Sequence, residues 1–187
     1  MQSLKELGKQ YWTYAQAGRT RDLTPEVGSI DTRRLLQPLE DYMEQECIVM
    51  LDFEWVAESP YSSVYELRLA STYGTVKMQQ YRECNTPCQV DYRAFSLFRA
   101  YHDIIHHVLM GMDFTPLDEF RAAQHLLSLY SHDKLVQSFV YSNVACMNSV
   151  YEWSPSRWAK LQNYTDILCV CPCFHTLTPH RKEYGNV

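Results

Sequence analysis

No apolar run in this chain approaches the ~18 residues that would cross a bilayer, so no membrane partner is expected. No secretory leader is legible at the N-terminus. The seven cysteines are an odd number, which together with the missing leader predicts an intracellular protein, cytoplasmic or nuclear, in a reducing compartment. Basic charge is also short: 17 Lys and Arg stand against 22 Asp and Glu, a net charge of −5. That argues against an architectural nucleic-acid binder, although an enzyme gripping phosphates through metal ions needs no basic footprint. What is present is ordinary for a globular domain of 187 residues, with 46% hydrophobic and 21% charged side chains. Fourteen tyrosines suit a dense core or stacking surfaces.

The stretch Cys47 to Val56 (C-I-V-M-L-D-F-E-W-V) is apolar or aromatic at eight of ten positions, and both exceptions are acids. Its length and β-branched content predict a core strand. Alternation would place Val49, Leu51, Phe53 and Trp55 on one face and Asp52 with Glu54 on the other, the acids roughly 7 Å apart. Two neighbouring carboxylates on an apolar strand call either for a divalent cation or for a solvated face.

Around that strand the chain divides into an N-terminal helical extension, residues 1–46, and a domain over 47–187. Ser3 to Ala17 and Thr32 to Glu46 carry helical spacing, and residues 18–29 read as a loop. Val64 to Thr72 and Thr75 to Arg82 alternate, which predicts two further strands, antiparallel to their neighbours because the links are short. Thr115 as N-cap, Pro116 at the first helical position and acids in the first turn predict a helix from 115. Lys134 to Tyr141 reads as a fourth strand, Asn143 to Trp153 as a helix and Tyr164 to Val170 as a fifth strand.

A histidine cluster lies in R-A-Y-H-D-I-I-H-H-V-L-M-G. His102 and His106, four apart, would share a helical face, and a helical metal site with Asp103, Glu119 and His125 as further ligands is one reading. Packing or capping of a helix end is the other. The segment is similar to the zinc motif H-D-x-x-H-x11-E of a ubiquinone-biosynthesis family. Here the eleven residues after His106 lead to Asp118, and only a count from His107, which loses the H-D-x-x-H, reaches Glu119. Cysteine offers two further zinc readings. Cys84 and Cys88 form a C-x3-C, and Cys169, Cys171, Cys173 and His175 cluster in the tail, but neither has the ligand spacing of a structural zinc site, and zinc is not expected.

The element order, with an acid pair on the first strand, resembles the ribonuclease H-like fold and within it the DnaQ-like (DEDD) 3′-5′ exonucleases. L-D-F-E-W matches the family's D-x-E strand. Y-E-L-R-L and T-Y-G-T-V-K are similar to its second and third strands. H-D-K-L-V-Q-S-F-V-Y-S-N resembles its second-motif strand. The resemblance implies an α/β mixed sheet over about residues 47–175, Asp52 and Glu54 as ligands of Mg2+ or Mn2+, His180 as general base, and an RNA or DNA 3′ end as substrate. The sequence departs from the family where its second motif needs an aspartate, since that position is Met147. The missing acids would have to come from Glu152, Asp166 or Glu183. Two functions follow: a metal-dependent 3′-5′ exonuclease, or a non-catalytic exonuclease-fold scaffold that binds protein through its N-terminal helices or binds nucleic acid. A third is a helical metal protein, with residues 93–131 binding a transition metal and Asp52 irrelevant.

Overall fold

Ser3 and Glu6 open the first helix by reciprocal capping. The Glu6 carboxylate accepts from the Ser3 backbone N–H at 2.9 Å and the Ser3 hydroxyl accepts from the Glu6 N–H at 3.3 Å. The computed structural model describes residues 3–16, 30–48, 51–81 and 90–154. Helix α1 (Leu4–Gln16) is followed by α2 (Thr32–Gln45), which is capped by Asp31. A β-α-β unit comes next: β1 (Asp52–Val56), α3 (Val64–Ser71) and β2 (Thr75–Gln79). Helix α4 (Tyr92–His102) runs without a break into a π-helical segment, Asp103–Leu109. Helix α5 (Pro116–Leu129) has Thr115 as N-cap, as its sequence predicts. One last continuous helix comprises α6 (Lys134–Tyr141), a second π segment Ser142–Cys146, and α7 (Met147–Trp153). No helix among the described residues is long and apolar enough to cross a membrane.

The main core gathers Leu7 and Tyr11 of α1, Leu35, Leu36 and Leu39 of α2, Phe95 and Phe98 of α4, Phe120 and Leu126 of α5, and Val136, Phe139 and Val140 of α6. The first two helices therefore pack into the same core as the later ones. A second, smaller core joins Leu67 of α3 and Val76 and Met78 of β2 to Ala100 and Ile104. Ile105, the next residue, belongs to the main core. The segment from Ala100 to His107 is thus packed on both sides. Burying each large side chain here contributes about 1.5–3 kcal/mol, enough to offset the cost of carrying polar histidines into the interior.

The mixed sheet of a ribonuclease H-like fold is not present. Among the described residues the only sheet is the parallel pair β1–β2, and helices make up most of the structure. Three expectations fail for identifiable reasons. Val64–Ser71 is a helix because Ser63 and Glu66 build a capping arrangement: Ser63 Oγ accepts from the Glu66 N–H, and the Glu66 carboxylate takes the Ser62 N–H at 2.8 Å. With a helix as the link, β1 and β2 pair in parallel, as a crossover connection requires. Lys134–Tyr141 is also a helix. Asp133 caps it by accepting from the Val136 N–H at 3.1 Å, and Val136, Phe139, Val140 and Val144 are all fully buried at helical spacing. The predicted fifth strand, both cysteine clusters, Asp166, His180 and Glu183 lie outside the described residues.

Candidate metal centre

His102 ends α4, and the chain then widens into the π segment. Met110 N–H donates to the Ile105 carbonyl at 3.0 Å, five residues back rather than four. Such a turn accommodates one extra residue in a helix and re-aims the side chains that follow it. In an α-helix His102 and His106 would share a face. Here it is His102 and His107, five apart, whose Nε2 atoms approach to 3.2 Å.

Glu119, in the first turns of α5, completes the group. One carboxylate oxygen lies 3.2 Å from His102 Nε2 and the other 3.5 Å from His107 Nε2. Asp103 Oδ1 is 4.0 Å from His102 Nε2. The ligand atoms of His102, Asp103 and His107 all fall within 4.8 Å of one another, so this group could hold a metal ion. The histidines are fully buried and Glu119 is 7% exposed.

The hydrogen-bond roles sharpen this arrangement. His107 Nδ1 lies 3.1 Å from the Met112 carbonyl, which can only accept, so Nδ1 carries a proton and Nε2 is the atom turned to Glu119 and His102. Glu119 Oε2 is buried and faces His102 Nε2 at 3.2 Å without a well-aligned hydrogen bond, and His102 Nδ1 is buried with no partner. A tetrahedral zinc with bonds of about 2.05 Å has ligand–ligand edges of about 3.3 Å. The Nε2–Nε2 separation and that from His102 Nε2 to one Glu119 oxygen, both 3.2 Å, are close to that edge, while the 3.5 Å contact of His107 Nε2 is to the other oxygen of the carboxylate.

The charges of this group offset the cost of burying it. Burial disfavours the Glu119 charge, but His102, His107 and Arg99 outweigh it and hold the carboxyl well below the usual carboxylate range. Burial alone would depress the His107 imidazolium. The hydrogen bond and charge of Glu119, with Asp103 beyond it, overcome this and raise its pKa. His102 is lowered, chiefly by burial. With His102 lowered, the cations that face the ionised Glu119 are His107 and Arg99.

His106 points elsewhere. Its Nδ1 donates to the His102 carbonyl at 3.0 Å and its Nε2 meets His125 Nδ1 at 3.1 Å, with Tyr42 edge-on to His125. Burial holds His106 well below its ordinary pKa. These two form a structural pair beside the centre. An open cleft of ≈270 Å3 reaches Asp103 and Glu119 and is walled by Tyr61, Met78, Tyr81, Arg99 and Phe114. The β-α-β unit supplies one side of it. Arg99 is held protonated, against burial, by Tyr81, Asp103 and Glu119.

The residues predicted for metal on β1 do not belong to this centre. Asp52 and Glu54 are both exposed, and Glu54 pairs across the strands with Lys77 at 3.8 Å. The solvated face that the sequence offered as an alternative is what their position shows. Of the residues named from sequence, His102, Asp103 and Glu119 come together, whereas His106 and His125 pair with each other. His107 entered the sequence reading only as the residue from which eleven positions lead to Glu119. Counted through the π turn, the spacing of His102, Asp103, His107 and Glu119 is H-D-x3-H-x11-E. No protein-family model, curated protein or solved structure matches this chain.

Proposed function

We propose that this protein is a mononuclear metal-dependent enzyme in which His102, His107 and Glu119 bind the ion, with Asp103 beside them. The observation that carries the reading is the buried convergence of two imidazole Nε2 atoms, 3.2 Å apart, on the two oxygens of one carboxylate at 3.2 and 3.5 Å. Two histidines and one glutamate form a donor set suited to catalytic zinc, which keeps a coordination position open. The same set with open positions also suits non-haem iron. The adjoining cleft gives a small substrate access to the ion, which would supply Lewis-acid polarisation or an activated water there. Arg99, Tyr81 and Tyr61 supply the polar groups of the wall.

The nuclease reading has no comparable support. The fold it rested on is not found among the described residues, and Asp52 and Glu54 are exposed. The test is metal content of protein purified without chelator, by elemental analysis. Wild-type protein is expected to carry close to one zinc or iron per chain. His107→Ala and Glu119→Gln are expected to lose it, while Asp52→Asn keeps it. Full metal content in both centre variants would refute the assignment, and loss in Asp52→Asn would return attention to β1.

A further inference from the structure

Arg68, on α3, touches none of the metal-centre side chains, yet it holds both ends of the segment that aims His107. Its Nε donates to the His107 carbonyl at 2.7 Å and its Nη2 to the Met112 carbonyl at 2.9 Å. The Met112 carbonyl is the same atom that receives His107 Nδ1–H at 3.1 Å. Between them the chain reverses at Gly111, whose φ of +70° lies in the left-handed region that favours glycine. One planar guanidinium therefore fixes the backbone of His107 and, five residues on, the acceptor of its ring.

We propose that Arg68 is a positioning residue for the metal centre, acting through the Met112 carbonyl to set the tautomer and orientation of His107. The inference rests on the metal centre proposed above. The physical reasons are two. The carbonyls at the end of a helix have no partner within it, and His107 O, near the end of the π segment, is supplied with one by Arg68. A carbonyl already receiving a ring N–H stays in place only if its backbone is held, and the forked donor holds it in two directions where an ammonium would hold one. Outer groups that orient a metal-bound imidazole typically change metal affinity ten- to a hundredfold when removed. Asp113, 3.5 Å from Arg68 Nη2 and largely exposed, is peripheral to this chain of contacts.

The test is titration of chelator-stripped full-length protein with Co2+ and Zn2+, following the visible Co2+ spectrum and the dissociation constant. Wild-type protein, Arg68→Met, Arg68→Lys and Asp113→Asn are compared, each first confirmed folded by circular dichroism. Arg68→Met is expected to bind ten- to a hundredfold more weakly with a shifted Co2+ spectrum. Arg68→Lys is expected to lie between it and wild type. It carries the test if the methionine variant fails to fold. Asp113→Asn is expected to match wild type. A folded Arg68 variant with unchanged affinity and spectrum overturns the role of Arg68 while leaving the centre intact. An equal loss in Asp113→Asn overturns it too, because a general charge effect would then suffice. Absence of any Co2+ spectrum in wild-type protein overturns the metal centre itself, and this inference with it.

Discussion

Asp133 shows how much one side chain contributes when it serves two partners. It caps α6 and takes a forked pair of bonds from Arg34, at 2.8 Å from Nε and 2.9 Å from Nη2, tying the start of α2 to the start of α6. Burial would raise its pKa from the ordinary 3.8, but the Arg34 bonds and the Val136 N–H lower it below that value. A carboxyl whose folded pKa is depressed stabilises fully above its unfolded value. That contribution is lost as pH falls through the folded one. Asp133→Asn keeps an N-capping oxygen and removes the charge, so it is expected to cost about 1 kcal/mol at pH 7, as a half-exposed forked pair would. Urea denaturation at pH 7 and at about pH 3 measures this, and the difference between wild type and variant should shrink in acid. An undiminished difference would assign the loss to something other than the ion pair.

Among the elements, the π segment after α4 decides which histidines face Glu119. Ile104 lies in the smaller core and Ile105 in the main one, so the helix cannot rotate to realign its histidines. The extra residue is instead absorbed locally. Deleting His106, which bonds to His125 and not to the centre, should convert the π turn to an α turn. It would also leave His102 and His107 four apart with the same eleven residues to Glu119. That deletion variant is expected to fold and retain bound metal by elemental analysis. Loss of metal from a folded variant would show that the wider turn is itself required. The element types were partly legible. Helices α1, α2 and α5 follow from their caps and periodicity. Helices α3 and α6 carry equally readable signals, the S-x-x-E of Ser63 to Glu66 and the Asp133 cap, but the alternation in V-Y-E-L-R-L and the β-branched look of L-V-Q-S-F-V outweighed them. In α3 only Leu67 is buried, so the alternation there reports no half-buried strand.

On the scale of the whole molecule, α1 lies against α7 so closely that Gly8 has no room for a side chain. A Cβ there would sit 2.0 Å from the Ser149 carbonyl oxygen and 2.4 Å from its carbon. Because these are backbone atoms, the two helices would have to separate. Gly8→Ala is expected to destabilise the protein by about 3 kcal/mol, at the upper end for an overpacked contact, and thermal denaturation measures it. A cost under about 1 kcal/mol would mean the helices can part freely. Composition, caps and apolar spacing by themselves determined that the chain is globular and where several helices begin, and they placed His102, Asp103 and Glu119 among the candidate metal-ligand types, beside His106 and His125. Only the tertiary structure decided which histidine joins them. A one-residue shift in helical phase is invisible to a count made at four residues per turn. It appears only when packing on both sides of the helix holds the π turn in place, and when α5 brings Glu119 across to meet it.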